Sequence, residues 1–247
     1  MEKLLLGKNA IVTGGGAGIG KSIVLALAAQ GANVAIGDIS LETATQTAKE
    51  AQALGVKALP YVCDISKIDT HEDFVSMVEQ DFGPVDILVN NAGISYAVTV
   101  LDVTPEMWDR AHSINSRGTF FLSQVVFGRM MQRKKGRIIN IASISGDRPA
   151  DKSDAAYCTS KAGIIMMSKV YAKAAKDTDI TVNSVSPGVI ETELTRKLGS
   201  TVDSDKVPMG RMGQPAEVAD AVVFLASDMA SYISGQNIRV NGGQFML

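Results

Sequence analysis

Cysteine and histidine are almost missing from this chain, with two of each in 247 residues. Cys63 and Cys158 have no second thiol or histidine at metal-ligand spacing, and His71 and His112 stand alone. This excludes a metal cluster and a disulfide framework and fits a reducing compartment. An excess of positive charge is lacking too: 24 basic side chains face 26 acidic ones, and the only basic run is Arg133 to Arg137. A nucleic-acid surface is therefore not expected. No stretch approaches 18 uninterrupted apolar residues, and the opening Met1 to Leu6 is too short for a signal sequence. The expectation is a cytoplasmic protein with no membrane span, whose partner is a small molecule.

What is present is a 46% hydrophobic composition. A chain of this length buries roughly 70 to 75% of its unfolded surface, enough for one sizeable domain over residues 1–247. No internal repeat, low-complexity tract or linker interrupts it. Short apolar strands alternate with helical stretches throughout. The pattern predicts an α/β fold, a single doubly wound parallel sheet of about seven strands with helices on both faces.

Asn9 to Thr13 reads as a strand that runs into Gly14, Gly15, Gly16, Ala17, Gly18, Ile19 and Gly20, then a helix to Gln30 with Gly31 as its stop. A glycine turn at a helix N-terminus lets a pyrophosphate approach the backbone, where free amides and the helix dipole meet it. The glycine spacing is 14, 18 and 20, with Ile19 where the commonest dinucleotide fingerprint has its third glycine. The next strand, Asn33 to Gly37, ends in Asp38, placed to accept from the adenosine ribose hydroxyls. A 2′-phosphate there would be repelled by about 4 kcal/mol at ~4 Å, and neither Ala17 nor Ile39 supplies a cation. The expected cofactor is NAD, with NADP disfavoured. Asp38 could instead simply cap the helix beginning near Leu41.

Further helices are expected over Leu41 to Leu54 and Asp69 to Phe82, and strands over Val56 to Val62 and Asp86 to Asn90. Asp64, after the third strand, could contact the adenine or cap the next helix. Thr104 with Glu106 marks another helix start, followed by a long helix over Arg117 to Lys135. That helix and the one over Ala155 to Ala175 carry more apolar surface than one sheet face consumes. Self-association through 117–135 and 155–175, as a dimer or homotetramer, is the expected outlet. Residues 193–213 are polar and rich in turn formers and read as a flap over the sheet's carboxyl edge.

The chemistry concentrates in Gly136 to Ala162. A β-branched run ends near Ser143 and delivers its hydroxyl to the edge where open α/β sheets bind ligands. Tyr157 and Lys161 are one helical turn apart. A free phenol titrates near ~10, but an ammonium about 4 to 5 Å away would lower it by about 2 to 3 units, making Tyr157 a general acid or base at neutral pH. A Tyr and a Lys at this spacing also form an ordinary amphipathic pair.

With Thr13, Gly14, Gly18 and Gly20, then Asp38, Asp64, Asn90 to Gly93, Asn115, Ser143, Tyr157 with Lys161, and Pro187, Gly188, Ile190 and Thr192, the sequence resembles the short-chain dehydrogenase/reductase family over essentially its whole length. The resemblance implies hydride transfer between a nicotinamide and a CH–OH or C=O carbon, with Tyr157 exchanging the proton, Lys161 on the nicotinamide ribose and Ser143 orienting the substrate oxygen. It implies that Asn115 anchors a water leading to Lys161, and that Thr192 meets the carboxamide or a phosphate. The dinucleotide would lie against Thr13, Gly14, Gly16, Ala17, Gly18, Ile19, Gly20, Asp38, Ile39, Cys63, Asp64, Ile65, Asn91, Ala92, Gly93, Tyr157, Lys161, Pro187, Gly188, Ile190 and Thr192.

Ser95, Ser145, Arg148 and Arg196 fall on segments expected to border the substrate, as does Lys197. A charged insert, Asp147, Arg148, Asp151, Lys152 and Asp154, stands where many relatives carry small neutral residues. These charges favour a polar, sugar-type or acidic secondary alcohol and an NAD-dependent dehydrogenase. The alternative is a 3-oxoacyl-thioester reductase, which would want NADPH and, for an acidic carrier protein, cations such as Arg129, Arg133, Lys134 and Lys135. A third reading is a protein that senses NAD without chemistry.

Overall fold

The computed structural model describes residues 3–96, 98–149, 154–197 and 207–246. Seven strands form one sheet: β1 Asn9–Thr13, β2 Asn33–Asp38, β3 Ala58–Val62, β4 Ile87–Asn90, β5 Lys135–Ile141, β6 Asp179–Pro187 and β7 Asn237–Val240. Their order is β3-β2-β1-β4-β5-β6-β7, and every pairing is parallel. The chain therefore starts in the middle of the sheet and reverses direction between β1 and β4. The carboxyl ends of those two strands open a crevice, the place where such sheets bind ligands.

Alternation along each strand explains the two cores. Val12, Ile36, Val89 and Ile139 point to one face and pack under α1 (Gly18–Ala29), α2 (Leu41–Gln52) and α8 (Pro215–Ala226). Their neighbours Ile11, Ala35, Leu88 and Ile138 point to the other. There they meet α3 (His71–Phe82), α5 (Thr119–Arg133) and α6 (Ala155–Ala174). A period of two buried on both faces produces strands that are apolar without a break.

Helix starts follow their caps. Ser40 accepts from the Thr43 amide at the head of α2, and Thr104 accepts from Met107 at the head of α4 (Pro105–His112). Gln214 and Glu217 form a reciprocal capping box on α8. A departure from the expected elements lies between 105 and 135. Instead of two separate helices, α4 continues through a widened π turn, Ser113–Gly118, directly into α5. Gly118 lets the loop after β3 come close to this turn: a Cβ there would sit 2.2 Å from the Ile65 carbonyl oxygen. The turn carries Asn115, fully buried, toward the crevice.

The expected apolar surplus is largely consumed within the chain. Phe120 and Phe127 pack on Tyr171, while Val126 and Met130 are core. Met166 and Val170 on α6 stay exposed. Of the expected flap, α7 (Glu193–Lys197) and 207–213 are described; residues 198–206, Asp151, Lys152 and the side chain of Lys197 lie outside the described residues.

Candidate active site

The crevice holds a cavity of about 450 Å³. One wall is the turn from β1 into α1. Gly14 sits at φ +63°, and a Cβ on Gly20 would come 2.0 Å from the Gly14 carbonyl oxygen. The turn can close this tightly only without side chains, which accounts for the unusual spacing seen in the sequence. Thr13 and Asn91 lock it to β4. The Thr13 hydroxyl accepts from the Asn91 and Ala92 amides, and the Asn91 side chain donates to the carbonyls of Thr13 and Gly14. The two residues act as struts: their polar side chains are committed to the protein itself.

The opposite wall comes from β5, α6 and the segment after β6. Gly14, Ala17, Gly18, Ile19, Gly20, Ala92, Gly93, Tyr157, Lys161, Pro187, Gly188, Ile190 and Thr192 line the cavity as expected. Ile94, Ile141, Ala142, Glu193 and Thr195 line it as well and were not singled out. Thr195 closes a small network, donating to the Ile190 carbonyl and accepting from the Thr192 amide. Its signal in the sequence was position alone, one turn after a strand-end Pro-Gly.

Ser143 lies two residues beyond β5, and its hydroxyl caps a short turn by accepting from Ser145. It is hydrogen-bonded to Tyr157. Lys161 is buried, and its Nζ donates to the Ile141 carbonyl at 2.7 Å and stands 5.6 Å from the centre of the Tyr157 ring. Burial brings the Lys161 ammonium down to about 8. Burial also pushes the Tyr157 phenol above its usual value, the Ser143 hydrogen bond pulls it down, and Cys158 and Asp154 add to the rise. The expectation that Lys161 makes the phenol acidic is thus corrected for this protein as it stands. Loss of water dominates both groups, and the ammonium is turned to a carbonyl.

Asn115 is also committed. Its amide accepts from the Ile94 N–H and donates to the Ile94 carbonyl and to Ser160. It holds the loop beside the cavity rather than facing open space. Gly93 lies between it and Lys161, since a Cβ there would be 3.2 Å from Asn115 Oδ1 and 3.4 Å from Lys161 Nζ.

The residues expected around the adenosine gather at the ends of β2 and β3, outside the cavity lining. Asp38 accepts from the amides of Gly16 and Ser40, at 2.9 and 3.0 Å, so both oxygens serve the chain's own turns. Ile39 is exposed, Ile65 is core, and Asp64 is held below the usual carboxylate range chiefly by Ser66. Beside them Cys63 is driven up to about 12 by burial and by the two aspartates.

The described charges of the insert, Asp147, Arg148 and Asp154, are engaged by the protein itself. Asp147 pairs with Arg239 at 2.8 Å, Asp154 caps α6, and Arg148 stacks over Phe245. Arg196 pairs with Glu191. These contacts remove the motive for an anionic alcohol as substrate, and Ser95, Ser145, Arg148 and Arg196 are not among the cavity-lining residues. Among the described residues no cluster could hold a metal ion, and no helix is long and apolar enough to cross a membrane.

A parallel sheet in this order, a glycine-rich turn on one wall and a Ser–Tyr–Lys set on the other define a dinucleotide-dependent oxidoreductase. A family model described as enoyl-(acyl carrier protein) reductase matches residues 14–244. The chain is 40% identical to a 3-oxoacyl-[acyl-carrier-protein] reductase, FabG, of Thermotoga maritima, over 97% of this chain and 98% of that one. It is 37% identical to an acetoacetyl-CoA reductase of Shinella zoogloeoides, over 98% and 100%. The solved structure of a short-chain type dehydrogenase/reductase from Mycobacterium marinum superposes with a TM-score of 0.95 at 36% identity, covering 100% of this chain and 98% of that one. The chain belongs to the short-chain dehydrogenase/reductase family.

These relatives correct the cofactor expectation. They are named as 3-oxoacyl and acetoacetyl-thioester reductases, the class for which the sequence itself called for NADPH, so the preference for NAD does not stand. In the structure the Asp38 carboxylate that motivated that preference is held by two backbone amides.

Proposed function

We propose that the protein reduces the 3-oxo group of a 3-oxoacyl thioester to the 3-hydroxy group, with NADPH as reductant. The carrying observation is the placement of Ser143, Tyr157 and Lys161 on the wall facing the glycine turn of one cavity. The relatives named above support the thioester as substrate. The cavity's bare backbone at Gly14, Gly18 and Gly20 suits a pyrophosphate, and Lys161, Pro187, Gly188 and Thr192 are placed to hold the nicotinamide half. When bound, the reduced nicotinamide supplies hydride to the carbonyl carbon.

The chain's own residues manage the oxygen. Ser143 donates a hydrogen bond to the carbonyl oxygen and fixes it beside Tyr157, a positioning role. Tyr157 delivers its proton to that oxygen as negative charge develops. A phenol carries its proton at neutral pH, as a group that donates one must. Lys161, held by Ile141, binds the ribose and brings positive charge near the phenolate that remains.

The thioester rather than a protein carrier is the substrate named here, for a structural reason. Of the cations expected to meet an acidic carrier, Arg129 pairs with Glu72 and Glu79, and Arg133 donates to the Val85 carbonyl. Lys135 opens β5, at the sheet edge opposite Ser143. Self-association through α5 and α6, with Met166 and Val170 in the contact, and a cytoplasmic setting with Cys63 and Cys158 outside any disulfide belong to the same reading.

The test is turnover of acetoacetyl-CoA with NADPH, followed by loss of the reduced-cofactor absorbance, with NADH and simple secondary alcohols in parallel arms. The expected result is reduction of the thioester with a higher kcat/KM for NADPH. A tenfold preference for NADH would overturn the cofactor assignment alone. Turnover of alcohols without any of the thioester would overturn the substrate assignment.

A further inference from the structure

Asp154 belongs to a charged insert with no assigned role, yet it is among the most buried acids in the molecule, 4% exposed. Its two oxygens accept from three backbone amides. One oxygen takes the N–H groups of Ala156 and Tyr157, at 3.0 and 3.2 Å, and so caps α6 one turn ahead of the reacting phenol. The other takes the N–H of Tyr96 at 2.7 Å, from a loop 58 residues earlier in the chain. That loop is tied at its other end by Asn115, which bonds both the N–H and the carbonyl of Ile94. Ile94 lines the cavity. Ile94–Tyr96 is thus suspended between two buried polar side chains, one from the π turn and one from the head of α6.

We propose that Asp154 is a positioning residue for the reduction: a single carboxylate fixes the entrance loop Ile94–Tyr96 relative to Tyr157 and so sets where the acyl part of the thioester can lie. An ionised carboxylate offers about four lone-pair directions, enough for three amide donors from two segments. An asparagine would still cap α6 through its oxygen but would turn an N–H toward the Tyr96 N–H. A serine would cap α6 with its one oxygen and could not span to the loop. Either change releases the entrance loop while keeping the first turn of α6. The inference rests on the thioester-reductase reading for its kinetic consequence, but the clasp itself does not depend on it.

The experiment compares wild type, Asp154→Asn and Asp154→Ser in two measurements. Hydrogen–deuterium exchange is followed in peptides covering 94–104 and in those covering 155–165. Steady-state kinetics are followed with acetoacetyl-CoA and NADPH. The expected result is faster exchange in 94–104 with little change in 155–165. In the kinetics, KM for the thioester rises about tenfold or more, while KM for NADPH stays within about twofold. Unchanged exchange in 94–104 in a folded variant overturns the clasp. Faster exchange with an unchanged thioester KM overturns the positioning role. If wild type turns over no thioester, the proposed function fails by that result, and the exchange comparison still decides whether the clasp exists. Asn keeps the volume and Ser reduces it, so a variant lost to misfolding leaves the other to decide.

Discussion

Lys161 donates from Nζ to the carbonyl oxygen of Ile141 at 2.7 Å, across 20 residues of chain. The bond ties the middle of the reacting helix to the end of β5 and takes a lysine out of water. Burial lowers its pKa to about 8, against ~10.4 in an unfolded chain. Between those values the unfolded state binds the additional proton, so this group makes stability rise with pH from about 8 upward and contributes no slope below it. Relative to Lys161→Met, wild type should gain about 2 kcal/mol of unfolding free energy from about pH 7.5 to about pH 9.5. Urea unfolding at a series of pH values measures it. A difference that stays flat would show that the ammonium is not desolvated as described.

On the proposed mechanism, Tyr157→Phe removes the proton donor and keeps the ring. The expected loss in kcat is about 10² to 10⁴-fold with little change in cofactor binding. Fluorescence titration of NADPH and steady-state turnover separate the two effects.

Ser143→Ala removes the hydrogen bond that pulls the Tyr157 phenol down, leaving the burial that pushes it up. The basic limb of the kcat/KM profile should therefore shift to higher pH in this variant, along with a fall in kcat. A pH–rate series on both proteins reads the shift, and a limb that moves to lower pH would contradict the assignment.

Asp38→Ala leaves two amides, those of Gly16 and Ser40, without their acceptor. The cost should be about 1 to 3 kcal/mol, which corresponds to a fall in Tm of roughly 2 to 12 °C. Differential scanning calorimetry without cofactor isolates this structural role from any effect on binding.

Cys63 is pushed up to about 12 by burial and by Asp64 and Asp38. Almost none of it is thiolate at mildly alkaline pH, so iodoacetamide should leave it unmodified in the folded protein and label it in urea. Peptide mapping by mass spectrometry distinguishes Cys63 from Cys158.

Much of this architecture was legible in one dimension. Strands buried on both faces must be apolar without interruption, so Asn9–Thr13, Asn33–Asp38 and Ile87–Asn90 announce themselves. The cap at Thr104 and the glycines at 14 and 20 are equally local signals, whereas the cap of α2 is Ser40 and not Asp38, the residue the sequence offered for it. The π turn was not legible, and neither was the contact beside it, in which the Ile65 carbonyl comes against Gly118 from a loop more than 50 residues earlier. The partners of the charged insert were not legible either. Asp147 finds Arg239 and Asp154 finds Tyr96 only once β7 and the loop after β4 are in place.

The sequence by itself determined the parallel α/β framework and the glycine turn at its crevice, because hydrophobic periodicity and glycine's freedom are properties of neighbouring residues. Only the tertiary structure decided what those side chains do there. A one-turn spacing gave Lys161 and Tyr157 a distance but not a direction, and it could not register how much water each would lose. Burial reversed the expected acidity of the phenol and bound Asp38 to two amides, because solvation and hydrogen-bond competition depend on everything packed around a group.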